Sequence, residues 1–242
     1  MHGHSRFRCD YYRGVKGSGG ATARLFTSQG ARVALTARSL DTLKQLATEL
    51  PGSVALPVDL RDPPSITRMI AGVQAHYGRI DLLINNAGQG MHGFLEHVEL
   101  AQYRRLMDLN LYGPLLTMQA VIPTMRQQGG GVILNVSAPL AQMPSIPSLG
   151  AYASTKAALT LITLTARAEL AADHIRVGVI YPGMMATEMH RHLLPAGAPQ
   201  REAPEAVAEK ILEAAQQELA EQYTTGFLQF AAWMQTPPSF PA

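Results

Sequence analysis

The 242-residue chain holds a single cysteine, Cys9, which excludes an internal disulfide framework and points to a reducing compartment. No apolar run approaches the roughly 18 residues of a membrane span. Only 16% of the residues are charged, and the net charge of +2 is spread without a basic block. A chain of that kind offers no electrostatic footprint for nucleic acid or an anionic membrane. Residues Met1–Cys9 are polar and basic without an apolar stretch, unlike a secretory signal. No group of His, Cys and Asp has metal-ligand spacing. Neither an internal repeat nor a linker divides the sequence. With 47% hydrophobic residues, the chain can bury one full α/β core. The expectation is a soluble, cytoplasmic protein with one domain over residues 1–242.

From Ala31 onward, short β-rich runs alternate with amphipathic helical stretches. Arg32–Thr36, Val54–Val58, Ile80–Asn85, Val132–Val136 and Arg176–Tyr181 read as strands. Ser39 caps a helix carrying Leu43, Leu46 and Leu50 on one face. Pro63–Tyr77 reads as a helix with Ile66, Ile70 and Val73 inward. Leu100–Met125, Tyr152–Asp173 and Pro204–Tyr223 read as further helical regions. The strands are apolar throughout rather than alternating, as in a parallel sheet covered on both faces. That succession predicts a three-layer, doubly wound, Rossmann-type α/β sheet with ligands at the carboxyl ends of its strands.

Tyr152 and Lys156 stand four apart at the start of a helix, so phenol and ammonium share a face. At about 4 Å and an effective dielectric of 20, a fixed cation is worth about 4 kcal/mol to a phenolate. That would bring the tyrosine pKa down by about three pH units, towards neutrality, where a phenol exchanges protons well. Taken alone, the pair reads more simply as a helix-start tyrosine followed by a solvated lysine; the rest of the chain has to decide.

Asn85-Asn-Ala-Gly88, Asn110 within Asp108–Gly113, Asn135-Val-Ser137, Tyr152-Ala-Ser-Thr-Lys156 and Pro182–Thr187 follow one another in order, each at a strand end or helix start. On these motifs the stretch from Gly17 to Thr187 resembles the short-chain dehydrogenase/reductase family. The resemblance implies that Tyr152 is the catalytic acid/base and that Lys156 lowers its pKa and holds the nicotinamide ribose. It also implies that Asn110 anchors a relay water, Asn86 lines the cofactor cleft, and Pro182, Gly183 and Thr187 belong to a loop touching the carboxamide. Asp59 would accept from the adenine amino group; its plainer reading is a cap ahead of Pro63. Arg38 directly follows the second strand, where a guanidinium suits a 2′-phosphate. With Lys16 as a second contact, the cofactor implied is NADP rather than NAD. A solvated Arg38 is the alternative.

Two departures stand against the family pattern. Gly17 and Gly19 take the second and third glycine positions of the phosphate loop, but Tyr12 and Arg13 replace the preceding Thr and Gly, and Ser18 replaces Ile. Cys9–Tyr12 also makes a poor buried strand, because Asp10 and two tyrosines need polar partners. Shifting the codons for Cys9–Lys16 by one nucleotide permits Val-Ile-Ile-Thr-Gly-Ala-Ser-Arg, the strand and loop that are missing. Residues 1–18 are therefore atypical, and a change of reading frame with the frame restored near Ser18 accounts for them; His2, His4 and Cys9 then carry no chemistry. The second departure is the catalytic serine. Either it is lost to Ala138, or the loop from Pro139 to Ala151 is longer and Ser137 serves.

Met184, Met185, Met189 and Gln89–Phe94 suggest an apolar substrate pocket, although core packing explains them about as well. His92 and His97 read as loop and surface histidines. Residues 224–242 form a C-terminal extension that lacks a glycine-rich seventh-strand ending; Phe227–Met234, ahead of Pro237 and Pro238, reads as an amphipathic segment packing on the body or on a partner subunit. The leading expectation is an NADP-dependent oxidoreductase interconverting an apolar carbonyl and its alcohol, as a homodimer or homotetramer. The rival is a dinucleotide-binding or structural relative with impaired turnover.

Overall fold

The computed structural model describes residues 10–13, 17–142, 146–184, 201–218 and 220–235, the first segment as backbone. Lys16, Thr187, Met185, Met189, His2, His4, Cys9, Pro237 and Pro238 lie outside the described residues. In chain order the elements are β1 (Asp10–Arg13), α1 (Ser18–Ser28), β2 (Val33–Ala37), α2 (Leu40–Glu49), β3 (Val54–Pro57), α3 (Pro63–Tyr77), β4 (Leu82–Asn85), α4 (Leu100–Met107), α5 (Gly113–Gln127), β5 (Gly131–Val136), α6 (Gly150–Leu170), β6 (Ile175–Tyr181), α7 (Pro204–Gln216), β7 (Glu221–Tyr223) and α8 (Thr225–Met234).

Every pairing is parallel, in the order β3-β2-β1-β4-β5-β6-β7. The order reverses between β1 and β4, which opens a crevice at the carboxyl ends of those strands. Alternate strand residues feed two cores. Val33, Leu35, Leu82, Ile84, Val132 and Leu134 pack with Phe26 of α1, Leu43 of α2 and Ile211 of α7. Ala34, Leu83, Ile133 and Val177 face the other way, onto Ile66 and Val73 of α3 and Val121 and Met125 of α5. Both faces being covered explains the unbroken apolar runs of the strands.

Local chemistry fixes the helix ends. Ser39 is in extended conformation and its side chain accepts from Thr42 N, as its position before α2 predicts. Helix α3 begins with Pro63 and ends on Gly78 in the left-handed conformation, with φ 74°.

Three expectations need correction. Asp10–Arg13 does run as the central strand, paired on both sides in the register Asp10↔Val33 and Asp10↔Leu82. Without it, β2 and β4 would each leave a row of backbone groups unpaired inside the sheet. Helix α7 stops at Gln216, and Glu221–Tyr223 is a seventh strand on β6 rather than the end of that helix. The long helical region around Leu100–Met125 is broken: Asp108–Tyr112 widens into a π turn between α4 and α5.

Candidate active site

Strand β4 ends in Asn85 and β5 carries Asn135 one residue before its end, and the two asparagines are tied to each other. Asn85 Nδ2 donates to Asn135 Oδ1 at 2.8 Å, Thr117 Oγ1 donates to Asn85 Oδ1 at 2.8 Å, and Asn135 Nδ2 donates to Thr163 Oγ1 at 2.8 Å. This buried, satisfied network locks both strand ends to α5 and α6, so the loops that follow start from fixed points.

The π turn aims Asn110 into that region. Its Nδ2 donates to Gln89 O at 2.9 Å and to Thr155 Oγ1 at 3.0 Å, and its Oδ1 accepts from Gln89 N at 2.9 Å. Lys156, in the second turn of α6, is buried and donates from Nζ to Val136 O at 2.8 Å. Gly88 lies between them: a Cβ built there would sit 3.2 Å from Lys156 Nζ and 3.5 Å from Asn110 Oδ1. Gly88, Asn110 and Lys156 therefore meet at one point beside the end of β4.

Tyr152 is buried in an apolar cluster with Ala138, Leu140, Ile146, Leu149, Met184 and Phe230. Among the described residues no hydrogen bond reaches its hydroxyl. Here the expected electrostatics are reversed. Burial pushes the phenol pKa up from its ordinary value, and burial pushes Lys156 down to about 8. The reason is desolvation. The ammonium is satisfied by the Val136 carbonyl rather than directed at the phenol, and the charged form of each group has lost water.

Ser137 and Ala138 leave the end of β5 on opposite sides. Ser137 Oγ donates to Lys156 O at 3.1 Å and lies 3.0 Å from Thr160 Oγ1, inside the packing of α6. Ala138, the next residue, enters the Tyr152 cluster. Neighbours on an extended chain face opposite ways. The residue presented towards Tyr152 is thus Ala138, and Ser137 is not brought to it.

On the cofactor side, Gly17 precedes α1 with φ 71°, and Ser18, Gly19 and Gly20 form a buried first turn. Ser18 Oγ donates to Asn86 Oδ1 at 3.2 Å, joining the start of α1 to the β4 loop across the crevice. Amides at the start of a helix suit a phosphate. Arg38 is exposed at the end of β2. With Arg61, Gln89, Gly90, Arg105 and Leu109 it lines a recess of about 260 Å³. Asp59 is held down to about 2 by hydrogen bonds from Arg61, whose Nε reaches Oδ1 at 3.0 Å and whose Nη2 reaches Oδ2 at 2.6 Å. Oδ1 also accepts from Arg61 N at 3.0 Å, so the carboxylate oxygen with a further lone pair is Oδ2. The glycine turn at a helix start, the tie across the switch point and the guanidinium-lined recess together fit a dinucleotide.

Beyond β6, Gly183 N donates to Glu202 Oε2 at 2.6 Å and to Thr224 Oγ1 at 2.9 Å. Glu202 gives no signal in the sequence, where it is a lone acid ahead of Pro204, and of its partners only Gly183 and Met184 stand in a motif. Gly88 stands out only as the end of the Asn85–Gly88 motif. Thr155, which holds Asn110, had no separate signal either.

The family model described as short chain dehydrogenase matches residues 13–196. An uncharacterized oxidoreductase of Staphylococcus aureus (strain USA300) is 31% identical over 200 residues, which is 82% of this chain and 86% of that protein. One from Staphylococcus saprophyticus is 34% identical over 181 residues, 73% of each chain. Among solved structures, a short-chain dehydrogenase from Streptomyces avermitilis superposes with TM-score 0.83 at 26% identity, over 95% of this chain and 92% of its own. A metagenomic short-chain oxidoreductase in complex with NADP superposes with TM-score 0.78 at 28% identity, over 91% and 98%. No helix among the described residues is long and apolar enough to cross a membrane. Motifs, sheet order and relatives agree: this chain belongs to the short-chain dehydrogenase family of NAD(P)-dependent oxidoreductases.

Proposed function

We propose that this protein is an NADP-dependent reductase of apolar carbonyl compounds, with Tyr152 as the proton-transfer group. The observation that carries the reading is the convergence of Lys156 Nζ and Asn110 Oδ1 on Gly88, one turn of α6 from the buried phenol of Tyr152. When bound, a reduced nicotinamide supplies hydride to a carbonyl carbon. Tyr152 gives its phenolic proton to the carbonyl oxygen, and burial keeps that proton on the phenol until a partner arrives. Lys156 is poised to leave Val136 O for a ribose hydroxyl. Its pKa of about 8 lets the ammonium and the neutral amine interconvert near neutral pH. Asn110, locked on three sides, presents an immobile amide at the inner end of the proton path. Gly17, Gly19 and Lys16 would meet the phosphates, Arg38 the 2′-phosphate, Asp59 and Asn86 the adenosine side, and Pro182, Gly183 and Thr187 the nicotinamide side. NADP is preferred because Arg38 has no ion-pair partner among the described residues. Working in the cytoplasm as a homodimer or homotetramer, the protein would act on small molecules and not on nucleic acid.

Ala138 favours a second reading, a cofactor-binding relative with low turnover, since the residue that β5 presents towards Tyr152 brings no hydroxyl to orient the carbonyl. Titration with NADPH, followed by nicotinamide fluorescence, and a panel of ketones and aldehydes separate the two. Binding with oxidation, lost in Tyr152→Phe at unchanged NADPH affinity, supports the reductase. Binding without oxidation supports the relative, and absence of binding refutes both.

A further inference from the structure

The amino end of β6 carries a second recess, of about 530 Å³, which the site at the carboxyl end of the strands does not use. It lies between the last turns of α6, the start of β6 and the connection from α7 to β7. Strand β6 has seven residues, so at about 3.3 Å each its two ends stand about 20 Å apart. Spacings of three and four put Leu164, Ala168 and Ala171 on one stripe of α6 and its cap, and with Ile175 they give the recess an apolar wall. The turn that joins α6 to β6 is fixed. His174 is left-handed with φ 56°, its amide donates to Ala171 O at 3.1 Å, and a Cβ on Gly130 would fall 2.6 Å from its carbonyl oxygen.

Two half-buried guanidiniums supply the polar side, and backbone carbonyls hold both. Arg167 donates from Nη1 to Val177 O at 3.1 Å and from Nη2 to Glu218 O at 2.5 Å. Arg176 donates from Nη2 to Ala215 O at 2.7 Å and from Nη1 to Gln217 O. These bonds fasten the end of α7 to β6, which accounts for where the two guanidiniums sit. They use two of the five N–H groups of each arginine, and among the described residues the other three have no partner. Glu218, exposed at the rim, is the one acid lining the recess. Burial lowers the pKa of Arg176, Glu218 raises it, and the neighbouring Arg167 lowers it again. Two guanidiniums against one carboxylate leave an excess of one positive charge, partly shut off from water, before His174 at the rim is counted.

We propose that this recess is a second ligand site, for a small monocarboxylate with an apolar body. The carboxylate lies on the free N–H groups of Arg167 and Arg176, and the body lies along Leu164, Ala168 and Ile175. An excess of one charge matches a single carboxylate rather than a phosphate dianion, and the planar guanidinium forks match its geometry. A recess of this size with one apolar wall and a few fixed polar groups is built as small-molecule sites are, and the fixed turn and forks spare the cost of ordering them. The site stands apart from the Tyr152 chemistry and does not depend on the reductase reading.

Calorimetric titration of the full chain with octanoate tests the proposal, with octanamide and acetate alongside, each with and without NADPH. Octanoate should bind saturably with a Kd of about 1 mM or tighter, unaffected by NADPH. Octanamide lacks the charge and acetate the body, so each should bind about tenfold more weakly or worse. Arg176→Met should weaken octanoate by about tenfold or more. That variant also strands carbonyls at the end of α7, so Ala168→Phe gives a second reading. It fills the recess from an exposed position, leaves both arginines in place, and should abolish octanoate binding. No saturation by about 10 mM octanoate, or equal binding of octanamide, overturns the proposal. So does octanoate binding that NADPH displaces or that survives Ala168→Phe, since the anion then sits elsewhere.

Discussion

Lys156 crowds Gly88: its Nζ would lie 3.2 Å from a Cβ at that position, so the ammonium would have to give by a few tenths of an ångström to admit one. The ammonium is at the end of a flexible stem, yet it is held by Val136 O and closed in by Asn110. Gly88→Ala should therefore displace the ammonium rather than unfold the protein. Turnover is expected to fall on the order of 10²-fold, as for a misplaced catalytic group. The thermal midpoint should move only a few degrees. Steady-state kinetics and a melting curve on the same preparation check both.

Ser137 and Ala138 make opposite predictions. Ala138→Ser puts a hydroxyl into the Tyr152 cluster and should raise turnover by about 10²-fold. Ser137→Ala removes a buried bond to Lys156 O and should cost about 1 kcal/mol of stability while leaving turnover near the wild-type value. If Ser137→Ala instead abolishes turnover in a well-folded protein, Ser137 is the catalytic serine after all.

Arg38 should discriminate between the two nicotinamide cofactors. A charge-assisted bond to a 2′-phosphate is worth about 1.5–3 kcal/mol. Arg38→Ala should then weaken NADPH by about tenfold or more and leave NADH nearly unchanged, by calorimetric titration of each. Equal losses for both would place Arg38 elsewhere.

Burial lowers Lys156 to about 8 in the folded protein, below its unfolded value of about 10.5. Between those limits the unfolded chain binds the extra proton, so stability must rise with pH from this group. The penalty is fully present below pH 8. The slope can reach about 1.4 kcal/mol per pH unit. Tyr152, raised by burial, acts in the opposite sense only above pH 10. Denaturant unfolding between pH 8 and 10 should show the rise, and Lys156→Met should flatten it.

The coding DNA tests the atypical start. Read one nucleotide later, the codons beneath Cys9–Lys16 should spell Val-Ile-Ile-Thr-Gly-Ala-Ser-Arg. A protein carrying that octapeptide should bind NADPH more tightly than this chain. A neighbouring frame that spells anything else ends the idea.

How far the fold could be read from the sequence follows from how local each signal is. Helix α3 was legible to the residue because Pro63 and Gly78 mark its ends through backbone geometry alone. Strands β2, β4, β5 and β6 were legible because burial on both faces leaves unbroken apolar runs. Glu221–Tyr223 was not: three residues at a sheet edge are strand only because Tyr181 and its neighbours pair with them. At the site, Tyr152 and Lys156 could be paired from their spacing, and Asn110 was named through the family resemblance. The direction of the tyrosine's pKa shift could not be read, since its desolvation depends on Ala138, Met184 and Phe230, which come from three distant segments. Glu202 was beyond reach for the same reason; all its partners lie at least eighteen positions away.

The π turn at Asp108–Tyr112 makes residue count, and not only residue identity, part of this site. Compared with an uninterrupted α-helix it holds one extra residue, and one residue is about 100° of helical rotation. Gly113, pressed against Leu60 so closely that a Cβ would lie 2.8 Å from the leucine Cβ, fixes the phase of α5. Deleting one residue from the turn would leave Asn110 and the four other motifs in the sequence and yet swing Asn110 away from Gln89 and Thr155. Two chains with the same catalytic letters can thus differ in whether those letters meet, and the length of this turn is where to look first.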